Sequence, residues 1–362
     1  MNAIELLHKE WLSFQPLSQD LKRRMDQQFM IDFNYNSNHL EGNTLTYGQT
    51  KLLLLFGDTI GSASMQDYEE MKAHNVGLEL MKAAALDKER ALSEMFIREL
   101  NKTILVRDFF KTSHDGEYRY KIRVGVYKTR PNSVITPTGE LFNYASPAET
   151  PALMSDLIVW YNEEERKEVL SPVEMAALFH YRYIRIHPFE DGNGRIARLL
   201  VNYILLRHGY PMIVIRTDDR ANYLKVLHQC DVLSGKVPSD GAHATFEQAK
   251  PLIDYVSDIT GKKLAAVVRL AKGEIAEIIE SKEERIDLRD DQKEVVRKGG
   301  QKRWSEILGL ISEHPSITRK ELSEKLNINP SAVQKHIQRL KSEGIIRRVG
   351  GTRGGHWEIA PI

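Results

Sequence analysis

Twelve consecutive positions constrain this chain more than any other feature: His187-Pro188-Phe189-Glu190-Asp191-Gly192-Asn193-Gly194-Arg195-Ile196-Ala197-Arg198. They bring together a titratable imidazole, a carboxylate, a glycine-bracketed turn and two arginines. Beyond the turn, Ile196, Leu199, Leu200, Tyr203 and Ile204 recur at spacings of three and four, the period of one helix face. Gly209 and Pro211 end that helix. Gly192-Asn193-Gly194 therefore opens it. At a helix N-terminus, free backbone N–H groups and the positive end of the helix dipole favour an anion. The flanking glycines let the backbone approach a phosphate closely.

Arg195 and Arg198 are three apart and share a helix face, so both can point at an anion bound at the helix start. The planar guanidinium grips phosphate oxygens in pairs. Asp191 supplies a hard oxygen beside that anion, as Mg²⁺ on a polyphosphate requires. His187 lies across the turn, and a neutral imidazole accepts a proton from an incoming hydroxyl. These residues read as a nucleotide-phosphate site with an attached general base. The competing reading is a glycine turn capping a buried helix, with His187 in the core. Chance coincidence of the constrained positions is on the order of 10⁻¹⁰ per start. No Gly-Lys-Ser/Thr follows the turn, which excludes a Walker loop.

With this stretch the chain resembles the Fic family, whose signature His-x-Phe-x-Asp/Glu-Gly-Asn-Gly-Arg-x-x-Arg it matches completely. The resemblance implies transfer of AMP from ATP, with Mg²⁺, to a Ser, Thr or Tyr hydroxyl of a target protein, the chain itself included. It makes His187 the base and Phe189 a core anchor. Asp191 holds Mg²⁺, and Gly192, Asn193 and Gly194 form the anion cradle, with Asn193 adding a side-chain contact. Arg195 serves the β-phosphate and Arg198 the γ-phosphate; Glu190 belongs to the same nucleotide-binding loop. Family habit also implies a homodimer.

Upstream, Ser37-Asn38-His39-Leu40-Glu41-Gly42 matches the family's inhibitory motif Ser/Thr-x-x-x-Glu-Gly/Asn. A Glu41 carboxylate paired two-pronged with Arg198 takes that arginine from the γ-phosphate and leaves the α-phosphate misaligned for in-line attack. The alternative is a surface glutamate near a helix C-terminus, where the dipole mildly disfavours it.

The fold class expected is mainly α: a Fic helical core with a small β-hairpin flap, followed by a C-terminal winged helix domain. The ranges are 1–110 for an N-terminal helical region with the inhibitory motif, 111–265 for the catalytic core, 266–300 for a connecting helix and linker, and 301–362 for the winged helix-turn-helix. Two helices are expected within 64–108, with Met65, Tyr68, Met71, Val76, Leu78, Leu80, Met81, Met95, Ile97, Leu100, Ile104 and Leu105 as core candidates. Between Tyr118 and Phe142, alternation at Ile122, Val124 and Val126, then Val134 and Ile135, around Lys128–Ser133 predicts one hairpin. The resemblance makes it the flap that holds a target segment by strand addition through Val134 and Ile135. Ser171-Pro172-Val173-Glu174 is a capping box for the helix that delivers His187. His180 on that helix reads as structural. Tyr223 and Leu227, one helical turn apart, form the adenine sandwich that the resemblance implies, or else are core. Asp231 stands where the family often has Asn.

At the C-terminal end, the pattern from Trp304 to Ile359 gives three short helices and a hairpin. Residues 297–362 carry 13 Lys+Arg and 6 Asp+Glu, net +7, leaving 38 minus 44, or −6, for the rest. A basic module on an acidic body points to DNA. Ser331, Gln334, Lys335 and Gln338 are the groove-facing candidates, with Arg353 on the wing. The lone cysteine, Cys230, allows no intramolecular disulfide. No signal peptide or membrane span is expected, and a cytoplasmic setting fits. The other readings are AMP removal with Glu41 positioning a water, transfer of a different nucleotide, and a nucleotide-sensing DNA-binding regulator.

Overall fold

The structure is a computed structural model that describes residues 3–59, 63–112, 116–135, 141–275, 307, 310–311, 314–326, 329–342, 346–349 and 356–359. The chain divides into two compact units, Met1–Ile278 and Ile279–Ile362.

The first unit is a helical assembly of α1 (Ala3–Ser13), α2 (Gln19–His39), α3 (Tyr47–Phe56), α4 (Met65–Leu86), α5 (Glu94–Leu105), α6 (Thr150–Lys167), α7 (Pro172–Ile186), α8 (Asn193–Arg207), α9 (Arg220–Ser234), α10 (Pro238–Ala242) and α11 (Phe246–Ala271). Between α5 and α6 lie β1 (Phe109–Thr112), β2 (Arg119–Ile122), β3 (Ser133–Ile135) and β4 (Leu141–Asn143). Local chemistry sets the helix starts. Ser18, Ser64 and Ser93 each accept the backbone N–H of the third residue of their helices, and complete capping boxes open α3, α7 and α11. Among the residues of α8, Ile196 to Leu205 are all buried, Arg198 and Asn202 included, so this helix is enclosed around its circumference by α4, α5 and α7. Each of Leu199, Leu200 and Ile204, fully buried, contributes about 1.5–3 kcal/mol by leaving water.

α2 is held differently. Asp32, Asn34, Asn36, Ser37 and Asn38 are all buried in it. Asn34 Nδ2 donates to Asn75 Oδ1 at 2.9 Å, and its Oδ1 meets His74 Nδ1 at 2.7 Å. Asn36 Oδ1 accepts from the backbone and hydroxyl of Thr217. Tyr47 donates its hydroxyl to Asp32 Oδ1 at 2.5 Å. A polar network therefore docks this helix alongside the core residues Phe29 and Phe33.

Three expectations are corrected. Met65, Val76 and Met95 are exposed at 68%, 58% and 77%, because the true buried stripes of α4 and α5 run through Tyr68, Met71, Leu78 and Met81 and through Ile97, Leu100 and Ile104. The single hairpin centred on 128–133 is replaced by two antiparallel pairs, β1 with β2 and β3 with β4. Between them the polar groups bond elsewhere: Val124 N donates to Asp108, Gly125 N to Asn101 and Lys128 N to Pro188 O. The connecting helix and linker expected over 266–300 begins instead inside α11, which stops at Ala271 before Gly273 at φ 75°. The part of that reading from 276 to 300 lies outside the described residues.

In the second unit, helices Arg319–Leu326 and Pro330–Ser342 and the pair β5 (Ile346–Val349) and β6 (His356–Ile359) surround Ile307, Ile311, Ile317, Leu322, Val333, Ile337, Leu340 and Trp357. Thr318 and Glu321 close a capping box. The Trp357 indole donates to Ile317 O at 3.1 Å, which ties the hairpin to the helices.

Candidate active site

α7 ends on His187, which takes a left-handed conformation (φ 50°) and donates its N–H to Tyr183 O at 2.9 Å. That reversal starts the turn. Phe189 is buried beneath it, against the Tyr127 ring. Asn193 braces the turn from inside: its Oδ1 accepts from Phe189 N (3.0 Å) and its Nδ2 donates to Phe189 O (2.7 Å). The side chain is thus taken up by the loop and shapes the cradle. Gly192 at φ 81° supplies a conformation that a side chain would strain.

Asp191 faces two partners. Its Oδ1 accepts from Gly192 N, and its Oδ2 lies 2.6 Å from Lys111 Nζ on β1. Asn101 on α5 donates to its carbonyl at 2.9 Å. Arg195 is 4% exposed, with Nη2 3.6 Å from Asp191 and Nη1 3.7 Å from Glu70. Its Nε and Nη1 make no hydrogen bond. Buried guanidinium donors left unmatched at a helix N-terminus are what a polyphosphate would satisfy. A single carboxylate beside that anion suits Mg²⁺, which is held mainly by phosphate oxygens and water.

Arg198 is equally buried, but its Nε and Nη2 are already taken. Its Nε donates to Ser37 Oγ (3.0 Å), and its Nη2 donates to Ser37 O (2.8 Å) and to Glu41 Oε1 (2.7 Å). The pairing with Glu41 runs through one hydrogen bond where two prongs were expected, because Ser37 takes the Nε. Glu41 retains 37% side-chain exposure against 4% for Arg198, so the pair can open from the Glu41 side. Burial raises the Glu41 carboxyl, but the charge and hydrogen bond of Arg198 outweigh it, and the group is held below the usual carboxylate range. The contact also needs Gly194: a Cβ there would stand 2.3 Å from Glu41 Oε1.

Burial, aided by the charge of Lys128, pushes the His187 imidazole down to about 4. It is neutral at pH 7 and able to accept a proton. The Tyr144 ring stacks on it at 3.9 Å between centroids and 14° between planes. Lys128, 3% exposed and pushed down to about 7 by burial, donates to Ile186 O and Asn132 Oδ1, each at 2.8 Å. Asn132 donates to His187 O and Phe189 O. Glu190 turns away from the cradle and accepts from Thr129 N and Oγ1. Asn101, Lys111, Lys128, Asn132 and Tyr144 escaped the sequence reading. They lie outside the signature, and only Pro131-Asn132 left a trace, as a turn.

The remaining candidates divide. Val134 and Ile135 lie on β3, paired with Phe142 and Leu141. Tyr223 is 4% exposed and meets His180 Nε2 at 2.7 Å through its hydroxyl; Leu227 is half-buried on the same helix, α9. A buried phenol needs a partner, and His180 provides it. Asp231 is occupied by Arg185 Nη1 (3.0 Å) and Tyr181 OH (3.0 Å). In the second unit Gln334 and Gln338 are exposed on the helix Pro330–Ser342, opposite Val333, Ile337 and Leu340, and Gln334 accepts from Arg319. Arg353 and the side chains of Ser331 and Lys335 lie outside the described residues.

The Fic/DOC family model matches residues 91–205, and a winged helix-turn-helix DNA-binding model matches residues 305–347. A solved structure of a Fic domain containing signaling protein from Bacteroides thetaiotaomicron is 59% identical, with a TM-score of 0.72, over 77% of this chain and 100% of that one. The chain belongs to the Fic/DOC family. This Fic protein is also similar to the protein adenylyltransferase fic-1 of Caenorhabditis elegans, at 32% identity over 208 residues, 57% of this chain and 37% of that one. A solved structure of Fic-1 from C. elegans is 26% identical, with a TM-score of 0.58, over 75% of this chain and 73% of the other. The chain spans about two-fifths of the length of the curated relatives it matches. Among the described residues, no helix of this Fic protein is long and apolar enough to cross a membrane.

Proposed function

We propose that this chain is a protein adenylyltransferase: it moves AMP from ATP to a hydroxyl of a target protein and is held back by its own Glu41. One observation carries the reading: an intact phosphate cradle faces a neutral imidazole, while Arg198, the second arginine of the cradle, is bonded to Ser37 and Glu41. The names of the curated relatives support the same activity.

In this scheme the opening amides of α8 and Arg195 bind the phosphates, and Asp191 is the ligand for Mg²⁺. The metal, when bound, neutralises charge on the phosphates and on the departing pyrophosphate. His187 takes the proton of the target hydroxyl as its oxygen attacks the α-phosphorus. The bond between the α-phosphorus and the α–β bridging oxygen breaks, and pyrophosphate leaves with that electron pair. Glu41 stops the reaction by holding Arg198 away from the γ-phosphate, so that the α-phosphate is not aligned for attack. Among the described residues β3 and β4 pair only with each other, and a target segment adds to an edge of this flap.

The test is transfer of label from α-labelled ATP with Mg²⁺. Glu41→Gly raises labelling roughly ten- to a hundredfold, the equivalent of one charge-assisted hydrogen bond of about 1.5–3 kcal/mol. Adding His187→Ala abolishes it. Unchanged labelling in Glu41→Gly removes autoinhibition, and labelling that survives His187→Ala removes the base.

The winged-helix match and the net charge of +7 on residues 297–362 favour a second role, DNA binding, through Gln334, Gln338 and their neighbours.

A further inference from the structure

The two legs of the flap hairpin both end on His187. Asn132, just before β3, donates Nδ2 to the His187 carbonyl at 3.1 Å and to Phe189 O at 2.9 Å. Tyr144, the residue after β4, lays its ring on the imidazole at 3.9 Å, nearly parallel. One leg grips the backbone of the base and the other its side chain. The second leg is itself anchored. Phe142 on β4 stands edge-on to Tyr144 at 5.3 Å and lies under the Arg185 guanidinium at 5.0 Å, and Ala145 N donates to Arg185 O. Arg185 is fully buried and fixed by Asp231, Gly235 O and Val237 O.

His187 needs such a grip. It caps α7 in a left-handed conformation, so the helix no longer dictates where its side chain goes. A parallel aromatic contact fixes the plane of an imidazole without consuming either ring nitrogen. That leaves a ring nitrogen for the proton in flight.

We propose that Tyr144 is a positioning residue that sets the plane of the His187 imidazole and links it to the flap, so that a target strand added to β3–β4 tightens the base as it docks. This rests on the reading of His187 as the base. The ring of Tyr144 does the work, and its hydroxyl does not. Removing the ring also uncovers the imidazole, whose low proton affinity comes first from burial.

The experiment uses the full chain in the Glu41→Gly background. Tyr144→Ala lowers kcat ten- to a hundredfold, the cost of a base misplaced by about 1 Å. The affinity for a non-hydrolysable ATP analogue stays within about twofold. The acid limb of kcat/KM moves up toward the ordinary histidine range. Tyr144→Phe restores both the rate and the limb. An unaltered kcat and limb in Tyr144→Ala overturns the proposal, as does damage in Tyr144→Phe equal to that in Tyr144→Ala. Titration of the His187 ring nitrogens by NMR separates this from failure of the functional reading. If Glu41→Gly transfers no AMP, the function is wrong, yet the ring midpoint still rises in Tyr144→Ala alone when the stack is real. A midpoint that is the same in all three proteins overturns the stack.

Discussion

A histidine of ordinary pKa is a mixture of charged and neutral forms at pH 7. His187 escapes this by burial, with Lys128 beside it, and its folded value falls to about 4. The sign follows directly. The neutral, proton-accepting form dominates above that value, and protonation removes it only as pH falls toward 4. In the Glu41→Gly variant kcat/KM should therefore be level from pH 6 to 8 and turn down near pH 4–5; a midpoint near 6.5 would contradict a buried imidazole. Removing Glu41 works in the same direction, since its charge raises His187. At this scale the signature residues were legible because each carries chemistry at a fixed spacing. Tyr144 and Asn132 were not, because what they do depends on two chain reversals that bring residues 132 and 144 to 187. Asn193 and Glu190 were legible as loop residues but not as braces, since a side-chain amide reads the same whether it faces a ligand or its own turn.

α2 is an element with an unusual attachment. A helical region carrying the inhibitory motif was legible here, and the helix spans Gln19–His39 with Ser18 as its cap. What the pattern could not convey is that its asparagines point inward. Polar residues at 32, 34, 36 and 38 fall on more than one side of the helix, and the tertiary partners His74, Asn75 and Thr217 explain Asn34 and Asn36. Such a network is costly to break in part. Asn34→Ala leaves the amide of Asn75 and the ring of His74 without a partner and should cost about 1–3 kcal/mol, read as a lowered midpoint of denaturant unfolding. Because Ser37 lies on this helix and Glu41 in the turn just beyond its end, the same variant should show raised auto-labelling; lowered stability with labelling unchanged would separate the network from the brake. The hairpins were misread for a related reason. Residues 123–132 alternate like a strand, but their hydrogen bonds go to the 186–190 turn and to α5. Tertiary partners outweighed local propensity there.

For the whole molecule, composition and charge separated two units before any coordinate did, because the basic tail and the acidic body differ in sign. Each unit has its own core, Trp11 to Val268 in the first and Ile307 to Trp357 in the second. Removal of residues 279–362 should leave AMP transfer by the Glu41→Gly variant within about twofold, while abolishing any DNA binding by the full chain. Binding through Lys and Arg falls steeply with salt, losing several-fold to many-fold between 50 and 200 mM as phosphate contacts accumulate. Gel-shift titrations across that range would show it, and salt-independent or absent binding would assign the winged helix to another partner.

The bond between Glu41 and Arg198 joins two positions 157 residues apart inside one unit. Its consequence is one of stoichiometry. A restraint carried on the same chain is present at one per site at every protein concentration, so it cannot be titrated away, diluted away or saturated. Its strength is a ratio of two conformations. An activator must therefore prefer the open one, and moving that ratio from 1:99 to 99:1 takes a preference of about 10⁴-fold, however tightly the activator binds otherwise.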